Sequence, residues 1–95
     1  MAQVKTGVQQ TIDEWLDYLT EAWQALPGVA SEIDRWNLID QIDYVEEWAP
    51  KEEVATQLRQ LIALPEATEE QRRRYAQLDH LMRTNRPVLE QIRAD

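Results

Sequence analysis

The stretch Ser31–Ala49, SEIDRWNLIDQIDYVEEWA, decides how this chain folds. Wound at about 100° per residue, it places Leu38, Ile42, Val45 and Ala49 on one stripe, with Ile39 at its edge. Ile33, Tyr44 and Trp48 form a second stripe, separated from the first by Asp34 and Gln41, and Glu32, Asp40, Asp43 and Glu47 form an arc opposite the first. A surface helix ordinarily carries one apolar stripe, so two stripes call for two packing partners. The spacing predicts a single central helix, capped by Ser31 and followed closely by acids that suit the positive end of the helix dipole. Trp36 breaks the pattern by projecting from the acidic arc. Either the Leu26–Ala30 loop covers it or it is open to a partner.

The segments on either side predict the neighbours. Val8, Ile12, Trp15, Leu19, Ala22 and Leu26 recur at spacings of four and three, widened by Leu16 and Trp23. This is a helix opening at a Thr11–Glu14 capping box, or one turn earlier where Val8 is in phase, and ending at Pro27-Gly28. Residues 1–7 lack periodicity and are expected to fray. Ala49-Pro50 marks the start of a third helix, Pro50 to about Leu64, with Val54, Leu58, Leu61 and Ile62 on its stripe. Thr68 with Gln71 forms a capping box for a fourth, Glu69 to about Thr84, built on Tyr75, Leu78, Leu81 and Met82. Pro87 then predicts a separate short helix carrying Leu89 and Ile92. The fold class is all-α: one domain over residues 1–95, an antiparallel bundle of four helices plus a short C-terminal helix.

Composition narrows the function. Apolar residues make up 43% of the 95-residue chain, cysteine is absent and glycine occurs twice, while the mean hydropathy is −0.63. No apolar run approaches the ~20 residues of a membrane span, and no secretory segment follows Met1. The location expected is cytoplasmic, with no membrane association. The net charge of −8 is polarised. Residues 1–53 hold twelve acids and three bases, whereas residues 54–95 hold six acids and seven arginines. This argues against nucleic-acid binding as the main role, and suggests acidic helices facing an arginine-bearing one.

Catalytic motifs are missing: there is no glycine-rich phosphate loop, no nucleophile elbow and no thiol, and the single serine, Ser31, has a capping role. His80 lacks the Glu three residues earlier that bundle metal sites use, since Gln77 stands there. The rows Asp13/Asp17/Glu21 and Asp40/Asp43/Glu47 lie on single helix faces, which do not converge on a cation. We therefore expect no enzyme, no cofactor and no metal. The expected function is a small acidic protein-interaction module, a regulator or a neutraliser of the antitoxin or inhibitor kind. Its candidate binding residues are Trp36, Asp40, Asp43, Glu47 and Trp48, its partner a protein with a basic surface or a second copy of itself. The alternative is a nucleic-acid-associated regulator using a basic patch of Arg72, Arg73, Arg83 and Arg86, with Arg74 beside them. Those arginines equally fit pairing with the acidic helices.

Overall fold

The computed structural model describes residues 5–94. Its helices are α1 (Gly7–Ala30), α2 (Leu38–Glu46), α3 (Trp48–Ile62) and α4 (Glu69–Ala94), with a 3-10 turn at Ile33–Arg35 between α1 and α2. The described residues contain no strand, as an all-α fold requires. The body is three long helices, with α2 as a nine-residue arm at one end. Its extents are 51 × 22 × 22 Å and its radius of gyration is 15.3 Å, against roughly 12 Å for a compact chain of this length.

Side-chain pairings give the directions. Gln71 meets Gln9 and Asp13, Arg74 meets Asp17, and Arg86 lies over Trp23, so α4 climbs alongside α1 in parallel. Trp48 packs on Trp23 and Lys51 lies over Tyr18, so α3 descends antiparallel to α1. An up-down-up bundle makes its first and third long helices parallel by construction. The core follows the expected periodicity, with its centre at Ile12, Leu16, Leu19, Trp23 and Leu26 of α1. Trp48 and Leu58 of α3 complete it with Leu78, Met82, Leu89 and Ile92 of α4.

The element boundaries fall into four cases, and each has a physical reason. First, α1 takes the earlier of its two expected starts, one turn before Thr11. Thr6 Oγ1 accepts from the Gln9 amide and Gln9 Oε1 accepts from the Thr6 amide, both at 3.1 Å. Thr11 instead donates to the Gly7 carbonyl at 2.9 Å. The fraying expected for residues 1–7 is not what Lys5–Gly7 do, since Lys5 pairs with Asp13 and Gly7 is already helical; residues 1–4 lie outside the described residues.

Second, α1 runs through Pro27-Gly28 to Ala30, and α4 runs through Pro87 to Ala94. An interior proline costs about 3 kcal/mol. Burying a Leu or Ile side chain contributes about 1.5–3 kcal/mol. Beyond Pro87 the helix buries both Leu89 and Ile92, enough to offset the proline, and Val88 packs there too. After Pro27, Val29 and Ala30 pack against the same core. The separate terminal helix is therefore the last two turns of α4.

Third, the central stretch is broken. Ser31 caps the C-terminus of α1, its amide bonding to the Pro27 carbonyl and its hydroxyl donating to the Gly28 carbonyl at 2.7 Å. Trp36 is extended, at φ −76° and ψ 157°. Asn37 then caps α2, its Oδ1 accepting from the Asp40 amide at 2.9 Å. Asn is among the best N-caps because its side chain replaces a missing carbonyl acceptor, so a central helix interrupted there loses little.

Fourth, α3 opens at Trp48 rather than Pro50, with Glu47 the single residue between α2 and α3. Pro50 falls within the first turn, where amides have no intrahelical acceptor and none is lost.

Candidate interaction surface

Breaking the central stretch separates the fates of its two apolar stripes. The second is filled from within the chain. Ile33 and Trp48 are buried, and Tyr44 stands edge-on to Trp48 at 6.2 Å. Trp36 stands edge-on to Tyr44 at 5.7 Å, and Trp48 edge-on to Trp23 at 4.8 Å. The four aromatic rings form a chain from the arm into the bundle. The first stripe has no such cover. Leu38 is 68% exposed, Ile39 70% and Ile42 46%, with only Val45 partly covered. Three large aliphatic side chains on one short helix thus face outward.

Carboxylates surround this ridge. Asp40, Asp43, Glu46 and Glu47 are exposed on α2 and its C-terminus, and Asp34 is exposed on the preceding turn. Asp40 Oδ2 accepts from Asn37 Nδ2 at 2.9 Å, which fixes its carboxylate near the start of the helix. Between α2 and the last turns of α4 lies a groove of about 280 Å³. Its deeper part is Ile33, Val45 and Ile92, and Leu38 and Ile42 form its lip.

The expected site residues are thus divided. Asp40, Asp43 and Glu47 are exposed. Trp36 is half-buried, with Tyr44 edge-on to its ring; its carbonyl accepts from Gln41 Nε2 at 2.8 Å. Trp48, expected as a binding residue, is 1% exposed and belongs to the core. The residues missing from the expected set are Leu38, Ile39 and Ile42, which periodicity assigned to packing. The available signal was Asn37, a strong cap with an acid three residues on, which marks a helix start inside the supposed helix.

The arginines are engaged within the chain. Arg74 bonds to Asp17 at 2.5 Å, Arg83 to Asp79 at 3.0 Å, and Arg73 to Glu70. Arg72 donates to the Leu64 carbonyl at 3.0 Å. Arg86 and Arg93 both hold Glu52, at 2.6 and 3.0 Å. Partial burial raises the pKa of Glu52, but the two guanidiniums outweigh it and hold the carboxyl below its usual value. The Lys5 ammonium, working against partial burial and together with Gln71 and Arg74, lowers that of Asp13. The gain that places three arginines at the unfavourable end of a helix is therefore a set of carboxylate and carbonyl partners.

Catalytic geometry does not assemble around His80. It lines a polar hollow with Thr20 and Gln24, whereas Ser31 lies at least seven residues further along α1, about 10 Å at 1.5 Å per residue. Among the described residues, no group of three or more His, Asp or Glu side chains is placed to hold a metal ion, and no helix is long and apolar enough to cross a membrane. Comparison with protein-family models, with curated proteins and with solved structures found no match to this chain.

Proposed function

We propose that this chain is a small non-catalytic interaction module of the cytoplasm, which holds a protein partner on the outward ridge of α2. The supporting observation is the exposure of Leu38, Ile39 and Ile42 together on one helix. Among the described residues, the other exposed large hydrophobics are Tyr18 and Leu64, each alone. Full burial of a large aliphatic contributes about 1.5–3 kcal/mol, so the ridge has roughly 3–5 kcal/mol of burial still available. That is a useful core for an interface and too little for a tight one by itself. The carboxylates of Asp40, Asp43 and Glu47 select a partner whose surface is basic and add to the rate of encounter. A regulator or neutraliser of a basic protein is the natural form of such a module.

The ion pairs of Arg73, Arg74, Arg83 and Arg86 favour this reading over the nucleic-acid alternative, because a phosphate would have to displace an intramolecular carboxylate at each one. The test is capture from the native source with the wild-type chain and with the double variant Leu38→Asp/Ile42→Asp. Both positions are exposed, so the thermal midpoint should hold to within the small change typical of surface substitutions. A partner retained by the wild type should be lost by the variant. Equal retention by a folded variant overturns the role of the ridge.

A further inference from the structure

We infer that the groove between α2 and the end of α4 receives an amphipathic helix of the partner, its apolar face bordered by lysine or arginine. The inference rests on the interaction reading above and specifies its occupant. Three features of the groove point to a helix. Every described element is helical, so there is no sheet edge on which an extended strand could be added. No aromatic side chain lines the groove, which leaves nothing for a polyproline segment to stack upon. Its volume of about 280 Å³ is just below the range of small-molecule pockets, ~300–1,000 Å³, and suits a few side-chain anchors. Anchors one turn apart on a helix would enter over Ile33 and Ile92 and be flanked by Leu38 and Ile42. A helix also satisfies its own backbone, so it can lie on the apolar part of the groove at Ile33, Val45 and Ile92 without leaving a backbone polar group unpaired.

Charge fixes the rim of the occupant. Asp34 and Glu46 stand at the groove, with Asp40, Asp43 and Glu47 further along the arm. The one guanidinium there, Arg93, is turned to Glu52. Residues 31–47 carry six carboxylates against one arginine. A second copy of this chain would bring its own α2 carboxylates against them, which like-charge repulsion disfavours. The occupant is accordingly a basic helix from another protein.

A displayed library of random 16-residue peptides, selected on the full-length chain, tests this without assuming a sequence. The enriched peptides should be helical when bound, with apolar residues spaced by three and four and Lys or Arg beside them. In amide NMR titrations they should shift Ile33, Leu38, Ile42 and Ile92, and their affinity should fall as salt rises. The charge reversal Asp34→Lys/Glu46→Lys should weaken the best of them about tenfold or more at low salt. Enrichment of acidic, neutral or proline-interrupted peptides, binding elsewhere on the chain, or no enrichment at all overturns the inference. The two proposals fail separately. If Leu38→Asp/Ile42→Asp abolishes capture of the native partner but no basic helix is selected, only the occupant is wrong; if capture is unaffected, the interaction reading itself falls.

Discussion

The two ends of this bundle are closed by different means. At the end where α1 and α4 begin, two capping boxes lie side by side and each glutamine reaches across to the other segment. Gln9 Nε2 donates to the Glu66 carbonyl at 2.8 Å, and Gln71 Nε2 donates to the Gln9 carbonyl and to Asp13, each at 2.9 Å. Gln71 is the one buried polar side chain among the described residues, and these three hydrogen bonds each hold two segments together. At the opposite end α2 is joined to α3 through a single residue and to α1 through a short turn, and it leaves its aliphatic ridge in water. A polar clamp can fix helix ends without needing a partner, because both donors and acceptors come from within the chain. An apolar ridge cannot, and that asymmetry is the ground on which the interaction role is proposed for the arm and not for the clamped end.

The largest expected effect lies where the arm joins the bundle. Trp48→Ala removes a fully buried ring and should cost about 3–5 kcal/mol. A chain of this length has only about 5–14 kcal/mol in total, so thermal unfolding should move down by tens of degrees. Trp36→Ala should cost about 1–2 kcal/mol, because it removes one half-buried ring and its edge-on contact with Tyr44. Trp48→Phe should fall well short of the alanine variant. Phenylalanine keeps most of the buried ring area and gives up a buried indole N–H that makes no well-formed hydrogen bond among the described residues. Similar losses for Trp36→Ala and Trp48→Ala would mean that the arm is as firmly part of the core as the bundle is.

Gln71→Ala is the corresponding cut at the clamped end. It removes the reciprocal capping bond and the bridge to α1, so that the Gln9 carbonyl and Asp13 both lose the Gln71 amide as a donor. The expected loss is about 1–2 kcal/mol in denaturant unfolding. Native-state hydrogen exchange should show faster opening at the first turns of both α1 and α4, and no change in α2. An effect confined to α4 would show that the two caps are not tied.

These two ends were not equally legible in the sequence. Thr68 and Gln71 announced a capping box by spacing alone, and the structure has that box. The stripes of α1 and α3 were equally plain, because one-sided helices have only one way to pack. What the sequence left hidden was set by tertiary energy. Pro87 read as a stop, but the burial of Leu89 and Ile92 beyond it outweighs the local cost. Leu38, Ile39 and Ile42 read as core, because periodicity reports which residues share a face and not whether anything covers that face. Their exposure follows from the break at Trp36-Asn37, where a local cap competes with helix continuation by a margin that pattern alone does not give. The acidic residues of the candidate site were legible individually; the ridge they surround was not.

Acid acts at both ends at once. Asp13 belongs to the clamped end and Glu52, through Arg86 and Arg93, to the bundle beneath the arm. Both have folded-state pKa values below their unfolded ones. The native state therefore binds fewer protons than the unfolded state as pH drops through this range. Their contribution is fully present above the unfolded values, about 3.9 for Asp and 4.3 for Glu, and is lost as pH falls through the folded ones. Thermal midpoints should be level near neutrality and decline below about pH 5. Glu52→Gln should be less stable at pH 7, and its decline with acid should be shallower than that of the wild type. An unchanged acid slope in Glu52→Gln would place the sensitivity at the clamped end alone.

The smallest effect has the opposite sign and concerns the last turn of α1, next to the arm. Gly28 follows Pro27 inside that helix, its φ is not positive, and a Cβ there would meet nothing within 4 Å. Glycine in a helix is disfavoured because the unfolded chain has more freedom to lose. Gly28→Ala should therefore stabilise by about 0.4–1 kcal/mol, raising the thermal midpoint by roughly 2–8 °C. The sign matters more than the size. A gain means that Val29 and Ala30 hold the chain helical past Pro27, so that the arm is launched from a rigid end with its ridge facing outward. A loss means that the turn after Pro27 unwinds, and α2 would then be free to fold its ridge back upon the bundle.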